Sequence, residues 1–234
     1  MLLERNSELR QIIGVTLRMS FFSTLFSAGI GIPLGMLVGS RTFWGKRALM
    51  RILNTLMGLP PVVAGLLVFF LLSRSGPLGQ YKLLYSVSAM VIAQVLLILP
   101  IAMSLSASIA ASRASQIHDT IYGLGLSRMC ELRCLLYESR GQLFSILFTC
   151  FGRSIAEVGA VSLVGGNVQY KTRVMTTAIM LETNKGNFEF AVALGAVLLL
   201  ISFAINSIAL TLEERGRDDM PLKKQRGRKE RYGR

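Results

Sequence analysis

Long uncharged segments dominate the pattern of hydrophobic and polar positions along this chain. Four of them cover residues 19–40, 52–73, 83–112 and 190–212. A helix rises about 1.5 Å per residue, so about 20 apolar residues cross the hydrocarbon core of a bilayer, which is roughly 30 Å thick. Each segment is therefore long enough to predict a transmembrane helix.

A fifth segment, residues 141–165, is apolar enough to cross but carries Arg153 and Glu157 one helical turn apart. An arginine at the centre of a membrane helix costs about 2.5–3.5 kcal/mol on insertion scales, so an unpaired Arg153 is disfavoured in lipid. Glu157 can neutralise it, although arginine before glutamate is the weaker order. The pattern predicts an all-α integral membrane protein with five transmembrane helices and an inward-facing ion pair in the fourth.

The placement of charge predicts the orientation of the chain. It has 26 Lys and Arg residues against 13 Asp and Glu residues, a net charge of +13. In a five-span chain, residues 40–55, residues 112–142 and the C-terminal tail share one side, and most of the basic residues lie there. Because basic loops stay in the cytoplasm, we predict a multi-pass protein of the cell (inner) membrane with its N-terminus outside and its C-terminus in the cytoplasm.

The two ends of the chain predict different structures. Residues 1–212 form the transmembrane domain, whereas residues 213–234 form a basic tail that is almost devoid of apolar residues. That composition predicts disorder and contact with lipid headgroups, and not a nucleic-acid interface. Residues 1–13 lack a signal-peptide cleavage site and predict a short interfacial helix.

Several kinds of chemistry are excluded by what the sequence lacks. It has one histidine, His118, and no G-x-x-x-x-G-K-[ST] phosphate loop. Cys130 and Cys134 are four residues apart on a predicted helix, but two thiols fall short of a zinc site, and Cys150 lies within the fourth span. We predict no metal, no cofactor and no enzymatic activity, so a partner has to supply the energy for any driven process.

The loop between the third and fourth spans, residues 112–142, is too polar to cross a membrane. Its pattern predicts a short helix from Ser115 to Tyr122, a bend at Gly123 and Gly125, and a second helix that runs into the fourth span. Glycine favours such a bend because it accepts positive φ without steric cost. A broken helix of this kind suits docking to a cytosolic protein, and an ordinary helix–turn connector fits these features equally well.

The same loop resembles the cytoplasmic signature of ATP-binding-cassette (ABC) importer permeases. In DTIYGLGLSRMCELRCLLYE (119–138), Asp119 takes the place of the signature glutamate, Gly125 that of its glycine and Leu135 that of its isoleucine. The two alanines and the Leu-Pro pair of the signature are replaced by other residues.

Three further stretches are similar to the molybdate and tungstate permeases, and they follow the order of that family. They are LPPVVAGLLVFFLLSRSGPLG (59–79), GRSIAEVGAVSLVGGN (152–167) and TTAIMLETNKGNFEFAVALGAVLLL (176–200). The EVGA and VGGN sequences are closer to the tungstate branch. The resemblance covers most of residues 14–212.

The resemblance implies a type I ABC importer permease fold, paired as a homodimer around a translocation path through the lipid bilayer. A coupling helix, about Ser115–Leu126, docks on a separate ATP-binding subunit, with Asp119 and Gly125 as contact positions and Gly123 beside them. An extracytoplasmic oxyanion-binding protein delivers the substrate, for which tungstate is favoured over molybdate or another oxyanion. A passive anion channel and a membrane scaffold that docks a cytosolic partner are the alternatives.

The fourth span supplies the candidate residues of the path or its gate. Most of them are small, or neutral and polar, as weak binding and release of an anion require. The candidates are Arg153, Ser154, Glu157, Ser162, Gly165, Gly166 and Asn167, of which Arg153 and Glu157 form the ion pair. Tight helix packing is the alternative role for the glycines, which include Gly159. We favour a structural ion pair over a gate whose partners separate during transport.

Two more sequence features have plain alternatives. Pro60 and Pro61 predict the start of a helix rather than a contact with substrate, because proline is tolerated in a first turn. The outer loop, residues 169–190, predicts a short amphipathic helix across the mouth of the path. Its three cations either steer an anion, contact the delivery protein or are solvated: Lys171, Arg173 and Lys185.

Overall fold

The computed structural model describes residues 2–123 and 127–218, with side chains over residues 8–114, 127, 129–208 and 211. Within those residues the regular structure is helical, as predicted. The helices are α1 (Leu2–Ser40), α2 (Lys46–Met57), α3 (Pro61–Leu72), α4 (Val87–Gly123), α5 (Arg128–Glu138), α6 (Arg140–Ile155), α7 (Gly159–Gly165), α8 (Met175–Asn184) and α9 (Phe188–Asp218). A 3-10 turn at Gly79–Tyr81 lies between α3 and α4.

Three single helices are long and apolar enough to cross a membrane: Glu8–Ser40, Val87–Ala114 and Phe188–Ile208. They confirm the predicted first, third and fifth spans. The short interfacial helix predicted over residues 1–13 is not a separate element, because α1 begins at Leu2 and continues to Ser40. Nothing in the local sequence stops the helix, since Gly14 is tolerated within it.

The second span is a bent pair of helices, and the prediction of one helix over 52–73 is wrong. The axes of α2 and α3 differ by 98°. Pro60 occupies the N-cap of α3 in an extended conformation and Pro61 its first position, which confirms that the prolines begin a helix. Neither Pro60 nor Pro61 has a backbone N–H that could donate a hydrogen bond to the preceding turn, so α2 has to end before them.

The fourth span is also a bent pair, in which α6 and α7 meet at 58°. The prediction of one straight helix over residues 141–165 is therefore wrong, because the helix is interrupted from Ala156 to Val158, around Glu157. The short helices of the two bent spans pack closely, because a Cβ added at Gly65 would lie 2.6 Å from the Cα of Ala160. Counting each bent pair as one crossing gives five spans among the described residues.

Helices α1 and α4 run parallel and pack closely against each other over much of their length. Gly31, Gly35 and Gly39 recur every fourth residue on one face of α1 and are buried. They oppose the equally spaced small residues Ala102, Ser106 and Ala110 of α4. A Cβ added at Gly31 would lie 2.7 Å from the Cβ of Ala102, and one added at Gly35 would collide with Ser106 and the backbone of Met103. Small residues at this spacing let membrane helices approach backbone to backbone.

The predicted coupling segment belongs partly to α4. Residues 115–122 are not a separate short helix, because α4 continues without a break from Val87 to Gly123. The sequence offers no glycine or proline between Pro100 and Gly123 that would end it. Helix α4 ends at Gly123, the first of the two glycines at which the bend is predicted, and Gly125 lies outside the described residues.

Two segments follow this helix on the same side of the bundle. A hydrogen bond of 2.7 Å from Arg113 Nη1 to the carbonyl oxygen of Glu138 ties the end of α5 to α4. At the C-terminus, α9 extends to Asp218, so the domain boundary expected at residue 212 falls within a helix, and residues 219–234 lie outside the described residues.

The glycine contact between α1 and α4 can be tested with a matched pair of variants. Gly35→Leu places a side chain where no space exists, and overpacking of this kind typically costs about 1–3 kcal/mol or more. Gly29→Leu is the control, because Gly29 is exposed on the same helix and a Cβ there meets nothing within 4 Å. We expect Gly35→Leu alone to lower the yield of monodisperse protein and its thermal unfolding midpoint. Equal behaviour of the two variants would contradict close packing at Gly35.

Candidate functional site

The break between α6 and α7 holds the predicted ion pair. Arg153 Nη1 lies 3.3 Å from Glu157 Oε2. The two partners are unequally buried, since the Glu157 side chain is 4% exposed and that of Arg153 is 39% exposed. The pair is thus built around a buried carboxylate that a half-exposed arginine neutralises.

Glu157 also organises the backbone around the break. Its Oε1 accepts a hydrogen bond from the backbone N–H of Ala160 at 3.2 Å, at the first turn of α7. Its carbonyl oxygen accepts one from Thr176 Oγ1 in α8 at 2.9 Å. A carboxylate at a helix N-terminus satisfies an otherwise unpaired donor and complements the helix dipole. Glu157 therefore caps α7 and anchors α8 while it pairs with Arg153.

Ser154 is fully buried in a polar cluster between α1, α4 and α6. Its hydroxyl donates to Gln94 Oε1 at 2.8 Å, and Gln94 Nε2 donates to the Ser154 carbonyl oxygen at 2.8 Å. The hydroxyl of Ser23 lies 2.7 Å from that of Ser154. Ser154 is thus a contact inside one subunit, and the sequence reasoning missed both of its partners.

The partners belong to a polar stripe that the sequence does display. Ser20, Ser23, Thr24 and Ser27 lie three and four residues apart, are buried on one face of α1, and interrupt an otherwise apolar span. Such a stripe predicts an inward-facing helix surface. That signal could have identified Ser23 as a contact residue.

The C-terminal end of α7 carries the remaining predicted residues of the path. Ser162 Oγ is half-buried and donates to the carbonyl oxygen of Gly159 at 3.0 Å. Gly165 is buried against the side chain of Met90. Gly166, with φ of 67°, and Asn167, with φ of 49°, reverse the chain after the helix. Glycine suits the first of these positions because it tolerates positive φ.

Asn167 is the centre of a hydrogen-bonded loop. Its Oδ1 accepts from Thr177 Oγ1 at 3.1 Å and from Arg173 Nε at 3.3 Å. Arg173 Nη1 in turn lies 2.7 Å from Oε1 of Glu8, near the beginning of α1. Gln169 donates to the same carboxylate oxygen at 3.1 Å. These bonds attach the loop after α7 to the first turns of α1.

Two of the three predicted outer-loop cations are neutralised within the chain. Arg173 pairs with Glu8, and Lys185 pairs with Glu182 at 2.8 Å. The hydrogen bond from Lys185 is the main cause that lowers the pKa of Glu182. Lys171 is exposed, so among these cations it is the one best placed to attract an anion. The predicted outer helix corresponds to α8.

The predicted residues therefore fall into three places. Arg153, Ser154 and Glu157 meet at the α6–α7 break, whereas Gly165, Gly166 and Asn167 lie at the far end of α7. Residues 158–164 separate the two groups, a distance of about 10 Å at the rise of a helix. Asp119 and Gly123 belong to the last turns of α4, where only the backbone is described, and Gly125 lies outside the described residues.

Metal binding finds no support in the part of the chain that the structure describes. No group of three or more His, Cys, Asp or Glu side chains there could hold a metal ion. Cys130 and Cys134 are free thiols on α5. Desolvation, followed by a hydrogen bond with Cys130, raises the pKa of Cys134, which disfavours the thiolate that a metal would require.

Comparison with known proteins identifies relatives over nearly the whole chain. A tungstate uptake system permease of Peptoclostridium acidaminophilum is 41% identical over 203 residues, which cover 87% of this chain and 89% of that protein. A probable anion ABC transporter permease of Haloferax volcanii is 38% identical over 222 residues, covering 93% and 94%. A sulfate transport system permease of Salmonella typhimurium is 25% identical over 205 residues, covering 83% and 74%.

The family model for the binding-protein-dependent transport system inner membrane component matches residues 31–218. That range contains both bent spans, the α1–α4 glycine contact and the α6–α7 break. The type I ABC permease fold expected from the sequence is confirmed by this match together with the helical architecture. The chain belongs to the family of binding-protein-dependent transport system inner membrane components.

Proposed function

We propose that this chain is the membrane-spanning permease subunit of an ATP-driven importer whose substrate is tungstate. The observation that carries the proposal is the 41% identity to a tungstate uptake permease over 87% of the chain. A second tungstate uptake permease, from Campylobacter jejuni, is 39% identical over 72% of the chain. The sulfate permease of Salmonella typhimurium is more distant at 25% identity, which favours tungstate over sulfate.

The subunit works in a complex, with ATP hydrolysed on a separate ATP-binding subunit. The cytoplasmic end of α4 is the docking element, through Asp119, Gly123 and Gly125. Support comes from the length of α4, which continues nine residues beyond the candidate span that ends at Ala114, a projection of about 14 Å. Two copies of the chain pair around the path, the N-terminus lies outside, and an extracytoplasmic binding protein delivers the oxyanion.

The path is lined by groups that bind an anion weakly. Ser162, Gly166 and Asn167 keep part of their surface exposed in the single subunit and suit this role. Ser154 and Gly165 are buried among neighbouring helices, so they hold the path in shape and do not line it. Arg153 does not bind the transported anion tightly, because Glu157 already neutralises its charge. Release of the anion requires such weak binding.

Uptake by reconstituted proteoliposomes tests the function. The chain, its ATP-binding subunit and its binding protein should together accumulate tungstate when ATP is supplied, and omission of any one should abolish accumulation. Excess sulfate should not compete, and excess molybdate measures how selective the system is. Tungstate entry without the ATP-binding subunit would indicate a passive channel, and transport of another oxyanion alone would refute the assigned substrate.

Coupling to the ATPase predicts a separate effect of Gly125. Replacement by leucine should leave the protein inserted and folded but abolish the stimulation of ATP hydrolysis by the loaded binding protein, because Gly125 holds the signature position of the coupling segment. Gly141→Leu is the matched control, since a Cβ at Gly141 meets nothing within 4 Å. Normal stimulation in the Gly125 variant would exclude the coupling role.

The ion pair of the α6–α7 break predicts an ordered series of variants. Arg153→Met should lower folded yield most, because it strands a buried carboxylate; losing one partner of a fully buried pair costs about 3–5 kcal/mol, and the 39% exposure of Arg153 makes the cost here smaller. Glu157→Gln should be milder, since glutamine can still accept from Ala160 and Arg153 is half-exposed. Folded yield is measured by size-exclusion chromatography of the extracted protein.

The double variant decides between the two roles of the pair. Recovery of both yield and tungstate uptake, relative to Arg153→Met, is expected for a structural pair. Recovered yield without uptake would make the pair a gate that has to open during transport.

A further inference from the structure

We propose that α2 and the loop before it form a docking surface for anionic lipid headgroups in the leaflet at which α1 ends. This headgroup surface comprises Phe43, Trp44, Arg47, Arg51 and the exposed apolar flank of α2. In the proposed orientation of the chain the leaflet is the cytoplasmic one.

The position of α2 follows from how it is attached to the bundle. Lys46 Nζ donates to the carbonyl oxygens of Gly39 and Arg41 at 2.7 Å each, so the first residue of α2 caps the C-terminal end of α1. Further along, Asn54 accepts a hydrogen bond from Ser104 of α4. Because α2 lies at 98° to α3, which packs along α4 and α7, the second span begins with α2 lying across the bundle end and enters the bilayer as α3.

Three faces of α2 differ in chemistry. Leu53 is buried against the bundle. Arg47 and Arg51 are four residues apart and exposed on a second face. Ile52, which is 56% exposed, and Leu56 share a third, apolar face. A helix with one face on protein, an apolar flank and a basic flank is suited to lie in the interface, with the apolar flank towards acyl chains and the arginines at phosphate level.

An aromatic tip precedes this helix. Trp44 is fully exposed, and Phe43 beside it is 45% exposed. Gly45, with φ of 95°, allows the tight turn that brings the N–H of Lys46 to the Phe43 carbonyl oxygen at 3.2 Å. Tryptophan is enriched at the level of lipid headgroups because its ring is amphipathic. An exposed tryptophan at the end of a span therefore fits a bilayer surface better than water.

The charge of the surface selects an anionic headgroup. No Asp or Glu occurs in the sequence between Glu8 and Asp119, so the arginines of α2 have no acidic neighbour along the chain. Arg41 faces a cleft of about 370 Å³ that Glu131 also lines, so the proposal rests on Arg47 and Arg51. Free phosphate would satisfy the same guanidinium groups, but it would leave Trp44, Ile52 and Leu56 exposed. The combination of basic and apolar groups fits a lipid.

Trp44 supplies the measurement, because it is the only tryptophan in the chain. The full chain is placed in nanodiscs with fixed fractions of phosphatidylcholine and phosphatidylglycerol, and bromine is carried by the acyl chains of one lipid or the other. Brominated phosphatidylglycerol should quench Trp44 at least about two-fold more strongly, because the arginines enrich the anionic lipid beside it. Equal quenching by both lipids, or none by either, would overturn the proposal.

Two variants and a soluble anion complete the test. The double variant Arg47→Gln, Arg51→Gln should remove the difference in quenching, whereas Arg74→Gln, exposed beyond the other end of α3, should leave it unchanged. Native mass spectrometry should show fewer retained phosphatidylglycerol molecules in the double variant alone. An emission shift on adding inorganic phosphate to purely zwitterionic discs would instead assign the site to soluble phosphate, and unchanged lipid retention in the double variant would also refute the proposal.

Discussion

Backbone-to-backbone packing of α1 on α4 is the contact on which the other helices depend. The glycines at 31, 35 and 39 let the two longest described helices lie side by side, and this close packing has to hold them, because lipid supplies no hydrophobic force that would drive them together. The polar cluster of Ser23, Gln94 and Ser154 then joins α6 to this pair. Without the α1–α4 contact, Ser23 of α1 and Gln94 of α4 would not lie together beside Ser154, and α6 would lose part of its polar attachment.

The two bent spans meet a constraint that water-soluble proteins do not face. A helix end inside a membrane exposes backbone donors that no solvent can satisfy. At the start of α3 the chain uses Pro61, which has no N–H to satisfy. At the start of α7 it uses the buried carboxylate of Glu157, which accepts from Ala160 and requires Arg153 for neutrality. The charged pair in an apolar segment is explained by the helix end that it completes.

Sequence reasoning recovered the spans and the ion pair because both depend on local pattern. It missed the bends in the second and fourth spans, because hydropathy measures how apolar a segment is and carries no information on the direction of the helix axis. It expected a separate helix at residues 115–122 although no helix breaker occurs before Gly123. The Glu8–Arg173 pair joins residues 165 apart, and only the fold could bring them together. The repeated glycines of α1 were visible, but their partners on α4 required the helices to be aligned.

Helix α4 connects the parts that transport would have to coordinate. It has 37 residues and is about 55 Å long, so it reaches from the loop that precedes Val87 to the proposed coupling end. Near its N-terminal end Met90 packs on Gly165 of α7, and Tyr85, just before α4, donates its backbone N–H to the carbonyl oxygen of Val164 in α7 at 2.9 Å. Because α1 is packed along α4 through glycines that leave no free space, a displacement at the C-terminal end of α4 would move α1 and α4 together. Because Met90 and Tyr85 hold α7 to α4, and the Arg153–Glu157 pair holds the start of α7 to α6, movement of the α1–α4 pair would reach the α6–α7 break through these contacts.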